Sequence, residues 1–349
     1  MVKYNCKICE TEFSNKSYYN LHKEQTQCKN NIDKTEQIIN EKENNKLDKN
    51  NLNKENIIIN SNIDKHLQKK IKYIDLFCGI GSFHYSFNKL GFECVMASDI
   101  YKPAKDNYKK NYNMDILGDI CSIDPSKIGN YDILCAGFPC QPFSQAGHHK
   151  GFKDSRGSMF SQVMKFVKYN IPKIIILENV QALLNHDKGK SFIKIKTELE
   201  KENYKVIFKV LKCSDYGIPQ MRKRLFIIGF KDIKVENIDK FFDLDDYKKT
   251  STLKEYLGQN FKKDTAYTLR CGGKNSAIND RHNWDGYWVD DKEYRITIED
   301  GLKLQGFNDY NLIGKKTEKW KLLGNTIPTI FTEIIGKQII KHISFDSNM

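Results

Sequence analysis

The segment GFPCQPFS (137–144) carries a cysteine suited to covalent chemistry. Cys140 stands between Pro139 and Pro142, whose rings restrict the backbone and fix the direction of the thiol. A cysteine held on such a stiff turn is a candidate nucleophile. A buried structural cysteine is the alternative, but two prolines make a poor strand interior. We therefore predict that Cys140 is a nucleophile.

Charged side chains that could assist this thiol follow at two later positions. Glu178 ends the apolar run KIIILE (173–178), where burial would raise the pKa of its carboxyl group and suit it to hydrogen bonding with a ring nitrogen. Arg222 and Arg224 belong to QMRKR (220–224), and alternation along an extended segment puts them on one side. Their guanidinium groups can there converge on a carbonyl or a phosphate.

A nucleoside site is indicated by DLFCGIGSF (75–83) and two later carboxylates. Gly79 and Gly81 allow a sharp turn and close approach to a ligand after a strand. Asp99 ends the next apolar run and suits ribose hydroxyls, and Asp119 suits an adenine amino group. Each aspartate alone could be a helix cap or a turn residue. The set does not distinguish a dinucleotide from S-adenosylmethionine.

A separate metal site is predicted near the N-terminus. Cys6 and Cys9 are separated by two residues, His22 follows after twelve more, and Cys28 after another five. This is the spacing of a small zinc finger in which a cysteine replaces the last histidine. Chance spacing of cysteines in a tail is the alternative. Zn²⁺ would supply much of the folding energy of so short a segment.

The elements that position these residues begin at Lys72. Six apolar runs of strand length follow one another, several of them separated by segments compatible with helices: 72–77, 93–98, 132–137, 173–178, 204–211 and 225–230. This alternation predicts an α/β fold with a doubly wound, mostly parallel sheet covered on both faces. Residues 231–294 read as an irregular insertion, and helical patterns return near 297–305 and 325–341. Residues 31–70, rich in Asn, Lys and Glu, read as a flexible linker after the finger at 1–30.

Charge and cysteine content restrict the partners and the compartment. The net charge is +13, of which +3 falls on residues 1–70 and +10 on residues 71–349. The excess indicates a polyanion such as nucleic acid, although a lysine-rich codon bias would produce it too. Ten cysteines without a secretory signal or a long apolar run predict an intracellular, reducing location and free thiols.

About residues 71–340 resemble the cytosine-C5 DNA methyltransferase family. The motifs that carry this resemblance occur in the family's order: DLFCGIGSF, SDI, GDI, GFPCQPFS, ENV, QMRKRLF, RITIEDGLKLQGF (295–307) and GNTIP (324–328). The resemblance implies a catalytic and cofactor-binding domain at 71–230, completed by 295–349, and a target-recognition region at 231–294. It implies S-adenosylmethionine as methyl donor and double-stranded DNA as partner.

The resemblance also implies roles for single residues. Cys140 attacks carbon 6 of cytosine, Glu178 meets ring nitrogen 3, Arg224 contacts the ring carbonyl, and Arg222 supports the site and the thiolate. Asn179 orders the loop around Cys140. The remaining implied contacts are with S-adenosylmethionine and come from Phe77, Gly79, Gly81, Asp99, Ile100, Asp119, Ile120, Pro139 and Asn325.

DNA contacts are expected from two segments. The target base must leave the stack, and QAGHHKGFKDSRGS (145–158) is expected to close over it, although an ordinary solvated loop is the alternative. Phosphate contacts are expected from Ser144, Lys150, Lys153 and Arg156. Base-reading candidates are Arg270, Asn275, Arg281, His282 and Trp284, each of which could equally be a scaffold or phosphate residue.

Two rival functions remain open from the sequence. Some relatives of the family methylate cytosine in transfer RNA, and a decayed methyltransferase could serve only as a binding module.

Overall fold

The computed structural model describes residues 70–139, 159–232, 234–235, 238–272 and 275–344, together with two short strands near the N-terminus. Those strands, β1 (Tyr4–Asn5) and β2 (Glu12–Phe13), pair in antiparallel fashion. The chain divides into two compact units, Met1–Gln68 and Lys69–Met349.

A six-stranded sheet forms the centre of the larger unit. Its strands are β3 (Lys72–Leu76), β4 (Glu93–Ser98), β5 (Ile133–Ala136), β6 (Ile174–Val180), β7 (Lys205–Lys212) and β8 (Lys223–Phe230). Their order in the sheet is β4-β3-β5-β6-β8-β7. All six lie within two residues of the predicted runs, and the mostly parallel α/β sheet is confirmed. The chain leaves β3 on one side for β4 and returns on the other side as β5, so the carboxyl end of β3 is a switch point where ligands bind.

One strand of the sheet, β8, departs from the parallel arrangement. β3, β4, β5 and β6 run parallel, whereas β8 pairs antiparallel with both β6 and β7. The physical reason is the connection between β7 and β8, which contains only one short turn, Cys213–Asp215. A parallel neighbour requires a crossover of a dozen or more residues, so this connection permits only an antiparallel pair.

Helices cover both faces of the sheet. Alternation along β3 sends Tyr73 into one core and Ile74 into the other. Four helices between or near the strands are α1 (Ser82–Lys89), α2 (Lys102–Tyr112), α3 (Met159–Asn170) and α4 (Lys190–Lys201). Among the described residues, no helix combines the length and the apolar character needed to cross a membrane.

Short strands and four more α-helices make up the described remainder of the unit. The strands are β9 (Lys234–Val235), β10 (Gly286–Val289), β11 (Lys292–Arg295) and β12 (Ile343–Ser344), and the helices are α5 (Leu253–Leu257), α6 (Ile298–Leu304), α7 (Lys316–Asn325) and α8 (Thr329–His342). Helix α6 begins with a capping box between Thr297 and Asp300. Helix α7 was not predicted from the sequence pattern.

The region predicted to recognise the target shares its core with the catalytic part. Trp284 and Leu269 belong to the same buried cluster as Ile80 beside the first turn and Leu323 of α7. Residues 231–294 therefore form part of the Lys69–Met349 unit, because their apolar side chains are buried against its helices.

Candidate active site

The turn after β3 has a left-handed backbone at three residues. The φ angles are 58° at Phe77, 55° at Gly79 and 81° at Gly81. A methyl group added to Gly81 would lie 2.6 Å from Cε2 of Tyr112, so only glycine fits there. The Tyr112 hydroxyl donates to the carbonyls of Ile80 and Gly81 at 3.1 and 2.9 Å. Tyr112 thus braces the turn, a role that its place on α2 did not reveal in the sequence.

Asp99 ties this turn to the one that follows β4. One carboxylate oxygen accepts the Gly79 N–H at 2.9 Å and the other accepts the Tyr101 N–H at 2.8 Å. Burial raises the pKa of Asp99, although both hydrogen bonds and Lys105 act in the opposite direction. Each oxygen keeps a further lone pair, so the group can still accept hydrogen bonds from a ligand.

The other predicted nucleoside contacts differ in their exposure. Asp119 is exposed and accepts the Cys121 N–H at 2.9 Å, which caps a short turn. Ile100 is 75% exposed beside Asp99, whereas Ile120 is 4% exposed and packs in the core. Ile100 therefore offers a free apolar face to a ring, while most of Ile120 is already covered by protein.

Asp75 is a buried acid that the sequence reasoning did not select. It lies in β3 beneath the turn, 1% exposed, and its Oδ2 has no hydrogen-bond partner among the described residues. Burial, reinforced by the charge of Asp99, raises the pKa of Asp75 well above its usual range. Burial therefore favours the neutral form of Asp75. An aspartate within an otherwise apolar strand was its signal in the sequence.

The two predicted catalytic groups Glu178 and Arg224 form an ion pair. Arg224 Nε lies 2.7 Å from Glu178 Oε1, and the two side chains are 13% and 10% exposed. Burial raises the pKa of Glu178, although Arg224 and Arg222 both act to lower it. A methyl group added to Gly137 would lie 3.3 Å from Glu178 Oε2. The carboxylate therefore packs against the segment that leads to Cys140.

Asn179 fixes that same segment. Its side-chain amide donates to the Phe138 carbonyl at 3.0 Å, and its carbonyl oxygen accepts the Val180 N–H at 2.9 Å. The exposed Pro139 follows directly. Strand β6 thus carries both the carboxylate of Glu178 and the Asn179 amide, which is hydrogen-bonded to the segment that precedes Cys140 in the sequence.

Arg222 does not face outward with Arg224. It is completely buried, and its guanidinium donates to the main-chain carbonyls of Leu269, Gly324 and Thr326 at 3.1, 2.9 and 2.7 Å. Burial lowers the pKa of Arg222 to about 9, which leaves it protonated at neutral pH. The expected convergence of both arginines on a substrate carbonyl or phosphate is corrected here, because the protein's own carbonyls occupy Arg222.

The C-terminal motif GNTIP lies against the turn that follows β3, through contacts made by α1 and α8. Ser82 donates to the Ile327 carbonyl at 2.5 Å, and Ser86 and Thr332 share a hydrogen bond of 2.7 Å. Asn325 is exposed at the end of α7, and its side-chain oxygen accepts a hydrogen bond from Cys271 Sγ at 2.9 Å. Ser82, which follows Gly81 directly, thus brings the turn of Gly79 and Gly81 next to the motif GNTIP.

The base-reading candidates divide into exposed and structural residues. Asn275, Arg270, Arg281 and His282 are exposed. Trp284 is completely buried and its indole donates to the Gly272 carbonyl at 2.9 Å, so it is a scaffold residue.

The remaining predicted site residues lie outside the described residues. They are the nucleophile and the expected phosphate contacts Cys140, Ser144, Lys150, Lys153 and Arg156, and the expected zinc ligands Cys6, Cys9, His22 and Cys28.

Comparison with known proteins agrees with this geometry. Residues 71–287 match the family described as C-5 cytosine-specific DNA methylase. The chain is 35% identical over 311 residues to the Type II methyltransferase M.DsaV of Dactylococcopsis salina, which covers 79% of this chain and 88% of the relative. It is 30% identical over 313 residues to M.HhaI of Haemophilus parahaemolyticus, covering 79% and 96%.

Solved structures share the fold. The Dnmt2 methyltransferase of S. pombe superposes with a TM-score of 0.61 at 19% identity and covers 78% of this chain and 99% of that chain. Given these matches, the chain belongs to the C-5 cytosine-specific DNA methylase family and is a DNA (cytosine-5)-methyltransferase that uses S-adenosylmethionine.

Proposed function

We propose that this enzyme methylates a flipped-out cytosine in duplex DNA through a covalent bond between Cys140 and carbon 6. The observation that carries the proposal is the buried Glu178–Arg224 pair packed against Gly137, three residues before Cys140. A carboxyl group with a raised pKa can give a proton to a cytosine ring while a thiolate attacks that ring.

The proposed reaction starts at the thiolate of Cys140. Its sulfur adds to carbon 6 while Glu178 gives a proton to ring nitrogen 3, so the electron pair of the former double bond becomes available at carbon 5. Arg224 stabilises the ring carbonyl as negative charge develops on it. After methylation, water takes the carbon 5 proton, the C5–H electron pair re-forms the C5=C6 double bond, and the Cys140 thiolate leaves carbon 6. Ring nitrogen 3 then returns its proton to Glu178, which restores the starting state of the enzyme.

The cofactor residues fit a nucleoside with an amino-acid tail. An added methyl group at Gly79 would meet nothing within 4 Å, so this turn faces open space, and Ile100 exposes an apolar side chain beside it. Asp99 and Asp119 would hold the ribose and the adenine, while Phe77, Gly81, Ile120, Pro139 and Asn325 complete the predicted contacts. S-adenosylmethionine supplies an electrophilic methyl group on its sulfonium.

The proposed recognition of DNA involves two segments of the chain, 144–158 and 231–294. Residues 145–158 close over the extruded base, with Ser144, Lys150, Lys153 and Arg156 on phosphates. Within 231–294, Arg270 contacts a base or a phosphate. Its exposed side chain, next to the buried Leu269, supports this role.

Transfer of tritium from labelled S-adenosylmethionine tests the assignment. Purified full-length protein is incubated with duplex DNA, with transfer RNA, or with neither, alongside Cys140→Ala. We expect label in DNA as 5-methylcytosine, and none with the variant. Label confined to RNA would overturn the substrate, and bound cofactor without label in either would favour a binding module.

A trapping experiment tests the covalent step. With 5-fluorocytosine in the duplex, no proton is available at carbon 5 after methylation, so the enzyme should remain attached to DNA through Cys140. A complex that survives denaturation is expected for the wild type and not for Cys140→Ala. Active enzyme that forms no such complex would contradict the mechanism.

We also propose a structural Zn²⁺ bound by Cys6, Cys9, His22 and Cys28. The pairing of β1 with β2 supports this, because the two strands bracket the segment that contains Cys6 and Cys9. Metal analysis of the full chain should give one zinc per molecule, reduced by Cys9→Ser. Equal zinc content in both proteins would refute the site.

A further inference from the structure

Helix α7 meets the loop 268–271 in a backbone-to-backbone contact. A methyl group added to Gly324, near the end of α7, would lie 2.5 Å from the carbonyl carbon of Arg270 and from the nitrogen of Cys271. Only glycine permits this approach, because a side chain would overlap main-chain atoms that cannot rotate away. The loop that carries Arg270 therefore sits directly against the residue preceding Asn325.

The buried side chain of Arg222 links the loop 268–271 to the end of α7. Its buried guanidinium binds Leu269 on the loop and Gly324 and Thr326 on either side of Asn325. A buried cation that lost part of this set would be left with unsatisfied donors, which is costly. The loop and the turn at Asn325 are thus constrained to keep one relative arrangement.

Cys271 makes the contact that reaches the Asn325 side chain itself. The thiol donates to Asn325 Oδ1 at 2.9 Å and is 3.6 Å from the Lys321 carbonyl. Burial raises the pKa of the Cys271 thiol, against the lowering effect of Arg222, Lys321 and Arg224. The thiol is therefore protonated at neutral pH and able to donate. With its Oδ1 engaged, Asn325 presents a defined amide direction.

We propose that Cys271 is a positioning residue that orients Asn325 and thereby couples DNA at the Arg270 loop to binding of the cofactor. The inference rests on the proposed function, in which Asn325 contacts the methionine end and Arg270 contacts DNA. DNA that restrains the loop also restrains Cys271 and, through the hydrogen bond, the side chain of Asn325. The conformational entropy that Asn325 loses when the cofactor binds is then smaller. The coupling must be reciprocal, so the cofactor strengthens DNA binding by the same factor.

Calorimetric titration with S-adenosylhomocysteine tests this coupling without turnover. The dissociation constant is measured with and without saturating fragments of unmethylated plasmid DNA for wild type, Cys271→Ala and Cys271→Ser. For the wild type we expect DNA to tighten binding by about 5-fold or more. Cys271→Ala should weaken binding by roughly 2- to 10-fold, the value of one hydrogen bond, and lose most of the tightening by DNA.

The serine variant separates positioning from packing. Serine keeps a donor at this position, so Cys271→Ser should retain most of the affinity and of the coupling, while all three proteins unfold at the same temperature. Wild-type coupling that persists in Cys271→Ala, or a serine variant no better than alanine, would overturn the inference. A wild-type protein that binds DNA and S-adenosylhomocysteine without coupling would overturn it too. A wild type that binds neither would instead refute the proposed function on which the inference rests.

Discussion

Glu178 and Arg224 are diagonal neighbours on two antiparallel strands, with Glu178 Oε1 2.7 Å from Arg224 Nε. The register pairs Val180 with Arg224 and Glu178 with Phe226. Because side chains two residues apart share a face, the carboxylate and the guanidinium meet at the carboxyl end of β6. The antiparallel insertion of β8 beside β6 therefore brings the two proposed catalytic residues together.

Replacing Glu178 by Gln should remove the proton donor and preserve the shape of the site. We expect kcat to fall by about 10²- to 10⁴-fold, the usual contribution of a general acid, with cofactor affinity little changed. Tritium transfer to DNA measures the rate, and calorimetry with S-adenosylhomocysteine measures the binding.

The pH profile gives a second readout for Glu178. Burial raises the pKa of Glu178 above that of an exposed glutamate, so the protonated form persists below the raised value and is lost as pH increases through it. The free energy of unfolding should change in the same direction, because a carboxyl group with a raised pKa in the folded state stabilises the fold less as the pH rises through that pKa. Wild-type kcat/KM should decline on this limb and that of Glu178→Gln should not. Parallel profiles would argue against Glu178 as the proton donor.

Arg222→Lys should destabilise the protein, although the charge is conserved. A lysine cannot reach the carbonyls of Leu269, Gly324 and Thr326 in the geometry of the guanidinium, and a buried carbonyl left without a donor costs about 1–3 kcal/mol. Urea unfolding measures the loss. The exposed Lys223 between the two arginines provides a matched control, since Lys223→Ala should unfold like the wild type. Equal stability of all three proteins would contradict the bracing role of Arg222.

Gly81→Ala should disturb the turn after β3 more than the strain of a left-handed backbone alone would do. Gly81 and Gly91 have similar φ angles of 81° and 85°, but an added methyl group lies 2.6 Å from Tyr112 at Gly81 and meets nothing within 4 Å at Gly91. The left-handed backbone costs an alanine about 1–2 kcal/mol at either position. We expect only Gly81→Ala to weaken S-adenosylhomocysteine binding, by about 10-fold or more. Equal affinities for the two variants would show that the contact with Tyr112 is unimportant.

Gly324→Ala should separate the Arg270 loop from α7. The added methyl group would overlap main-chain atoms of Arg270 and Cys271 at 2.5 Å, whereas at Gly129 it would enter open space. Overpacking of this kind costs about 1–3 kcal/mol, and here it also shifts Asn325. Thermal unfolding and methyl transfer should both be impaired in Gly324→Ala and normal in Gly129→Ala. If Gly324→Ala were as active as the wild type, the close contact between Gly324 and the Arg270 loop would not matter for activity.

Local sequence determined the strands and the turns of this protein. Apolar runs of strand length and the glycines at 79 and 81 depend on burial and backbone sterics, which are set within a few residues. The motifs ENV, SDI and GNTIP likewise predict Glu178, Asp99 and Asn325 as site residues from the sequence alone. Cys140 was selected in the same way, from the two prolines beside it.

Only the tertiary structure decided which partners those residues have. The sequence placed Arg222 and Arg224 together, whereas folding buries Arg222 under three carbonyls and leaves Arg224 to pair with Glu178. The contacts of Tyr112 with the turn after β3 and of Cys271 with Asn325 had no local signal in the sequence. Their contacts join segments 31 and 54 residues apart, and such contacts depend on how the sheet and its helices pack and not on the residues nearby.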